Sequence, residues 1–275
     1  MIDAALPHLR CPVCEDTLNR PAGEQSLRCP RGHSFDLARQ GYASLVAGRT
    51  PHSGDTAEMI TARAAFLSAG HYSFIAAAVS SAARGPARGE NAAFVLDAGV
   101  GTGYYLGSVL DQLPGAVGLG LDVSKPALRR AARAHPRAAA ALADIWQRLP
   151  LADGCASVIL NVFAPRNGPE FHRVLHPDGV LLVVTPAAGH LHELIDTHGL
   201  IGIDPEKAQR TAETLGDHFT AISTSTFEQQ LKLTADEVAT LITMTPSARH
   251  VTLDNLATQD VEVTATVDLT VYRRS

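Results

Sequence analysis

Val95-Leu96-Asp97-Ala98-Gly99-Val100-Gly101-Thr102-Gly103 begins as an apolar run and ends as a glycine-rich turn, and the residues from Tyr104 onward are compatible with a helix. A strand entering a helix through such a turn is suited to holding a ligand. Glycine tolerates positive φ and lacks the Cβ that would keep the backbone away from a bound molecule, while the helix start offers free N–H groups. The same device opens dinucleotide-binding folds, so Gly99, Gly101 and Gly103 alone do not name the ligand. Two details narrow it. The dinucleotide fingerprint needs a glycine three residues after its second, where this chain has Tyr104. Asp97 precedes the turn, where its charge would repel a pyrophosphate but complements the sulfonium and ammonium groups of S-adenosylmethionine.

Outward from this turn, short apolar strands alternate with helical segments from Ala92, the signature of a parallel α/β sheet. The candidate strands are Phe94–Asp97, Gly118–Asp122, Ala139–Ala143, Ser157–Phe163 and Val180–Thr185. Two longer stretches, Thr220–Leu233 and Val261–Tyr272, read as an antiparallel pair closing the sheet. Asp122 ends the second strand about 20 residues on, where it can accept both ribose hydroxyls, and Asp144 ends the third, where it can meet the adenine amino group. Each aspartate taken alone also fits an ordinary helix N-cap. The fourth strand runs into Asn161-Val162-Phe163-Ala164-Pro165-Arg166-Asn167, where class I methyltransferases place residues that face the accepting atom. Asn161 and Phe163 are therefore the catalytic candidates, with Phe163 able to stack on a base; the competing reading makes Phe163 core and Asn161 a turn cap.

Toward the N-terminus, Cys11-Pro12-Val13-Cys14 and Cys29-Pro30-Arg31-Gly32-His33 supply three thiolates and an imidazole in two short knuckles. That set closes a tetrahedral structural zinc site. A redox Cys-x-x-Cys would need a thioredoxin-like βαβ setting, which these Pro- and Gly-rich surroundings do not offer. A unit of this size rarely holds itself together by apolar burial, so a metal staple is physically useful. Cys155 is remote and reads as a small hydrophobe. Between module and sheet, Asp55-Thr56-Ala57-Glu58 predicts a helix capped by Asp55 and stopping at Gly70, and a second helix spans about Phe74–Arg84. The expected organisation is 1–40 zinc-binding module, 41–90 helical linker and 91–275 methyltransferase domain. The fold class is thus α/β: a Rossmann-like class I methyltransferase with a mostly parallel sheet and antiparallel C-terminal strand, plus a small zinc-ribbon-like module.

The 275-residue chain is 45% hydrophobic and 19% charged, which excludes general disorder. Its longest apolar runs fall far short of the roughly 18 residues of a membrane span, and its start lacks a signal-peptide pattern. No membrane association and a cytoplasmic location are expected. A net charge of -5 means that nucleic-acid contact must come from a local patch. Lys125, Arg129, Arg130, Arg133 and Arg137 form an acid-free stretch in which Arg129, Arg133 and Arg137 share one helix face. They fit either a phosphate-following stripe or a solvated outer face.

Taken together, these motifs resemble the bacterial 23S ribosomal RNA guanine-N1-methyltransferases, including those that confer resistance to tylosin- and mycinamicin-type macrolides. The resemblance spans nearly the whole chain. It rests on the two knuckles, on Phe35-Asp36-x-Ala38-Arg39-Gln40-Gly41-Tyr42, on Gly54-Asp55-Thr56-x-Glu58-Met59, and on Ala62-Arg63-x-x-Phe66-Leu67-x-x-Gly70-His71-Tyr72. Leu121-Asp122-Val123-Ser124-Lys125, Phe163-Ala164-Pro165, Thr185-Pro186 and His190-Leu191 continue it. The resemblance implies that Tyr72 and His190 contact S-adenosylmethionine, that Tyr105 and Leu106 add backbone contacts, and that the target is a guanine in a hairpin loop of domain II of 23S RNA. It also implies a homodimer, and Asn161-Val162-Phe163 with Arg166-Asn167 looks like the macrolide-resistance branch. Without it, Tyr72 reads as a packing residue and His190 as a capped loop histidine.

Two other functions fit parts of the pattern. One is a small-molecule methyltransferase acting on a macrolide or quinone, with zinc for stability or dimerisation. The other is a non-catalytic zinc-containing RNA-binding sensor of the cofactor, against which the intact Asp97, glycines and Asp122 speak.

Overall fold

A computed structural model describes residues 2–48, 52–85, 93–198, 214–245 and 260–275. Residues 86–92, between the second expected helix and the first strand, and residues 199–213 lie outside them. The N-terminal unit has a short helix α1 (Ile2–Ala5) and a hairpin of β1 (Ser26–Arg28) with β2 (Ser34–Asp36). Then come β3 (Ala43–Ser44), α2 (Ala57–Ser68) and α3 (Ser73–Ala83). The α/β part follows as β4 (Phe94–Ala98), α4 (Tyr104–Gln112), β5 (Val117–Asp122), α5 (Lys125–Ala131), β6 (Ala138–Leu142), β7 (Ala156–Val162), α6 (Gly168–Val174) and β8 (Leu175–Pro186). It ends with α7 (His192–His198), β9 (Phe219–Leu233), α8 (Ala235–Thr243) and β10 (Val261–Arg274).

The main sheet runs β3-β6-β5-β4-β7-β8-β10-β9, parallel from β3 to β8 and antiparallel at β10 and β9. Its central strands are mostly apolar because both faces are buried, and Asp97 in β4 and Asn161 in β7 are buried polar exceptions near the carboxyl ends. The strand period of two divides them between two cores: Val95, Ala138, Ala140, Val158, Leu160, Leu182 and Val184 on one side, and Leu96, Ala139, Ala141, Ile159, Leu181 and Val183 on the other. The first core is covered by α2, α3, α4 and α8. The second is covered by α6 and by the N-terminal unit, whose Ile2, Leu9, Leu18, Leu27 and Phe35 pack with Phe94 and Leu119. His8 stacks on Phe94 with ring centroids 4.0 Å apart. The zinc-ribbon-like unit is therefore built into the sheet's hydrophobic core.

Two local readings are corrected. Thr56, not Asp55, caps α2: its Oγ1 accepts the Met59 N–H at 3.2 Å, while Asp55 pairs with Arg63 at 2.6 Å. The shared helix face expected for Arg129, Arg133 and Arg137 does not form, because α5 ends at Ala131, before both Arg133 and Arg137. Arg137 also leaves the exposed stripe. Its guanidinium instead donates to the carbonyls of Leu110, Leu113 and Ala116, closing the end of α4. Lys125, Arg129, Arg130 and Arg133 remain exposed. Finally, β3 joins the sheet through Ala43 and Ser44, a strand too short for its alternation to be read.

Candidate cofactor and zinc sites

Strand order reverses beside β4, and the carboxyl ends of the strands at such a switch point are where open α/β sheets hold their ligands. Gly99, Gly101 and Gly103 all have positive φ, at 91°, 53° and 84°. Their roles differ. A Cβ on Gly99 would lie 2.4 Å from the Ala164 Cβ, so this glycine lets the two loops pass. One on Gly103 would lie 2.6 Å from the Ala134 Cβ and 2.9 Å from the Ala131 Cα, so Gly103 serves close packing against the end of α5. Only at Gly101 would the added carbon stay clear, 3.5 Å from the Arg63 guanidinium. Tyr104, Tyr105 and Leu106 make up the first turn of α4, whose amides have no acceptor within the helix; the Leu106 side chain itself is core.

Three carboxylates line this edge in different states. Asp97 is 2% exposed, and its Oδ2 is buried without a hydrogen-bond partner. Burial, and then the nearby Asp122, push its carboxyl up to about 8. A buried acid with an unmet oxygen fits a cationic ligand, and the ammonium of S-adenosylmethionine meets that need. Asp122 accepts the Gly101 N–H at 2.9 Å on one oxygen and the Ser124 N–H at 2.8 Å on the other, leaving lone pairs on both for hydroxyl donors. Asp144 accepts the Trp146 N–H at 3.0 Å and lies 2.8 Å from His52 Nδ1.

The segment around His52 to Asp55 belongs to the same rim, although a Pro-, Ser- and Gly-rich link carries no periodicity that marks it in the sequence. It crosses the ends of β5 and β6. Gly54 passes so close to Ser124 that a Cβ would lie 2.6 Å from its amide nitrogen, and Ser124 Oγ donates to the Asp55 carbonyl at 2.8 Å.

On the other flank, Tyr72, Phe163 and His190 form a triangle of rings with centroids 6.3 to 6.4 Å apart. Tyr72 and His190 are buried, and burial raises the Tyr72 hydroxyl well above its ordinary range. His190 Nδ1 accepts the Thr266 N–H at 3.1 Å. Burial holds this ring down at about 4, so it is neutral, and the accepting Nδ1 puts its proton on Nε2. Phe163 is 41% exposed and adopts φ 52°, a conformation that turns its ring out of the core. Asn161 is fully buried and donates to the carbonyls of Ala98 at 3.1 Å and Pro165 at 2.7 Å. It ties the loops after β4 and β7 together, which is a positioning role.

In the N-terminal unit, one ligand atom each from Cys11, Cys14, Cys29 and His33 lies within 4.8 Å of the others. Cys11 Sγ is 3.5 Å from His33 Nδ1, Cys29 Sγ is 3.3 Å from it, and the sulfurs of Cys14 and Cys29 are 3.6 Å apart. These are about the edge lengths of a tetrahedron with Zn–S of roughly 2.3 Å and Zn–N of roughly 2.0 Å. Tight turns set both knuckles, the Glu15 N–H donating to Cys11 and the Gly32 N–H to Cys29. Four protein ligands leave no open position, which defines a structural site. Cys155 stands apart, its thiol pushed up to about 11 by burial.

Fold, glycine turn and metal cluster together define a class I S-adenosylmethionine-dependent methyltransferase carrying an N-terminal zinc ribbon. Residues 9–53 match the family described as RlmA, N-terminal, a zinc ribbon, and residues 95–179 match the methyltransferase domain family. The chain is 56% identical to a protein of Micromonospora griseorubida provisionally named a 23S rRNA (guanine-N(1)-)-methyltransferase, over 98% of each chain. It is 46% identical to the 23S rRNA (guanine(748)-N(1))-methyltransferase of Streptomyces fradiae, over 97% of this chain and 96% of that one. This chain belongs to the 23S rRNA (guanine-N1)-methyltransferase family. Among the described residues, no helix is long and apolar enough to cross a membrane.

Proposed function

We propose that this chain transfers the methyl group of S-adenosylmethionine to N1 of one guanine in a hairpin loop of domain II of 23S rRNA, and thereby confers macrolide resistance. The observation that carries this reading is end-to-end similarity, ribbon and catalytic domain alike, to a relative named for guanine 748. In this reading residues 1–40 are the zinc-binding module held by Cys11, Cys14, Cys29 and His33, 41–90 the helical linker and 91–275 the methyltransferase domain. Tyr72, Asp97, Gly99, Gly101, Gly103, Tyr105, Leu106, Asp122, Asp144 and His190 form the cofactor site. The enzyme acts in the cytoplasm, as a homodimer.

When bound, S-adenosylmethionine supplies an electrophilic methyl group. Asp97 complements the charge of its amino-acid end, and Asp122 fixes its ribose. Phe163, exposed on the loop after β7, stacks on the extruded guanine. His190, neutral and protonated on Nε2, is a hydrogen-bond donor. Asn161 accepts no proton at neutral pH, so the N1 proton is assigned to solvent and the rate gain to positioning.

The test is incubation of naked 23S RNA and assembled large subunits with labelled S-adenosylmethionine, followed by reverse transcription, which N1 methylation blocks. A stop at one loop guanine of domain II, lost in Asp97→Ala, is expected. RNA left unlabelled while a macrolide or quinone takes the methyl group would replace this reading with the small-molecule one. Cofactor binding without any transfer would indicate a sensor.

A further inference from the structure

Trp146 is the only tryptophan of the chain, and it is 52% exposed. Leaving so much aromatic surface in water forgoes a large burial gain, so an exposed tryptophan held in place invites a partner. Trp146 is held. Its own N–H donates to Asp144, the Gln147 N–H donates to the Asp144 carbonyl at 3.1 Å, and Asn167 Nδ2 donates to the Ile145 carbonyl at 2.9 Å. Two residues on, Arg148 pairs with Glu15 of the zinc ribbon at 2.7 Å, and the Leu149 N–H donates to Glu170 at 2.8 Å. The loop after β6 is thus clamped to the ribbon on one side and to the loop after β7 on the other, and the indole stands out from it.

The surroundings suit a nucleobase. Trp146 lies two residues past Asp144, on the same carboxyl edge as the glycine turn, and shares that edge with the exposed Phe163. The His52 ring, half-exposed and anchored on Asp144, sits 6.1 Å from the indole at a 44° tilt, flanking it without lying flat on it. Arg10 and Arg148 border the neighbouring groove between ribbon and catalytic domain, which also holds Glu15, paired with Arg148, and Asp153, paired with Arg173. Planar rings beside cations are the elements of single-stranded RNA recognition, since every base has a face to stack.

We propose that Trp146 is a stacking platform for an RNA base neighbouring the target guanine, separate from the target's own place at Phe163. This rests on the RNA reading above. The single tryptophan lets its fluorescence report this one position. Full-length, zinc-loaded protein is titrated with S-adenosylhomocysteine alone, then with the domain II hairpin RNA, and RNA methylation is followed in parallel. The expected result is quenching on adding RNA but little change with cofactor alone. Trp146→Ala should raise KM for the hairpin roughly 5- to 100-fold with kcat, cofactor affinity and melting temperature little changed, and Trp146→Phe should restore most of the loss.

Unchanged emission while the wild-type protein methylates the hairpin would overturn the proposal and leave the RNA reading standing. Full quenching by cofactor alone would place the indole over adenine and also overturn it, as would an alanine variant with an unaltered KM. Absence of hairpin methylation by the wild-type protein would remove both.

Discussion

The amide of Gly101 donates to the Asp122 carboxylate at 2.9 Å, so the residue we propose as the ribose ligand also fixes the glycine turn before any ligand arrives. Preorganisation of this kind lowers the ordering cost of binding. Asp122→Ala leaves the Gly101 and Ser124 amides without their acceptor, a loss of about 1–3 kcal/mol for each buried group. The expected result is a lower melting temperature together with cofactor affinity weakened by about tenfold or more. Calorimetry on the variant, with Asp122→Asn as the milder comparison, measures both.

Asp97 predicts a pH dependence. With its carboxyl raised to about 8 by burial and by Asp122, it is largely protonated at neutral pH in the free protein. A cationic ligand favours the ionised form, so binding releases a proton, and affinity climbs by up to about tenfold per pH unit until pH passes about 8, then levels off. The stability sign is opposite. A folded-state value above the ordinary 3.8 gives a contribution that is full below 3.8 and lost as pH rises through about 8. Asp97→Asn should therefore melt higher than wild type in alkaline buffer while failing to bind S-adenosylmethionine. Binding enthalpies in buffers of different ionisation heat check the proton release.

Zinc removal should reach beyond the ribbon. Leu9, Leu27 and Phe35 share a core with Phe94 and Leu119, so loosening the ribbon strips cover from the sheet. Chelation, or Cys29→Ser, is expected to release a single zinc, lower the melting temperature of the entire chain and expose hydrophobic dye-binding surface. A separate low-temperature transition with the main one unmoved would show that the ribbon is independent.

The arginines after β5 divide by role. Arg137→Ala removes the donor to three carbonyls at the end of α4 and should cost roughly 1–3 kcal/mol of stability, with RNA affinity kept. Arg129→Ala and Arg133→Ala, both at exposed positions, should leave melting unchanged. Each should reduce the salt dependence of RNA binding by about one charge. Thermal melts and salt titrations of binding separate the two outcomes.

These contrasts also show what the amino-acid pattern reveals. The strands from β4 to β8 were legible because burial on both faces favours apolar runs, and even the alanine-rich β6 announced itself by position between a helix and a strand-ending aspartate, whereas β1, β2 and β3 are too short to show a period. Zinc ligands were legible because knuckle spacing is local. Contacts across sequence were not. Nothing near Arg137 signals that it reaches back to α4, and nothing near His52 signals that it meets Asp144, 92 positions away. The three glycines looked alike in the turn, yet two of them serve packing between loops and helices. Thr56 displaced Asp55 as the cap of α2 because Arg63, one face along the same helix, claims the aspartate.

The most direct test of the central claim is the chemical identity of the product. 23S RNA treated with the enzyme and labelled S-adenosylmethionine is digested to nucleosides and separated against authentic methylguanosines. The account predicts that all label travels with 1-methylguanosine. Label in a different methylated nucleoside, or none in the RNA while the cofactor is bound, would contradict it.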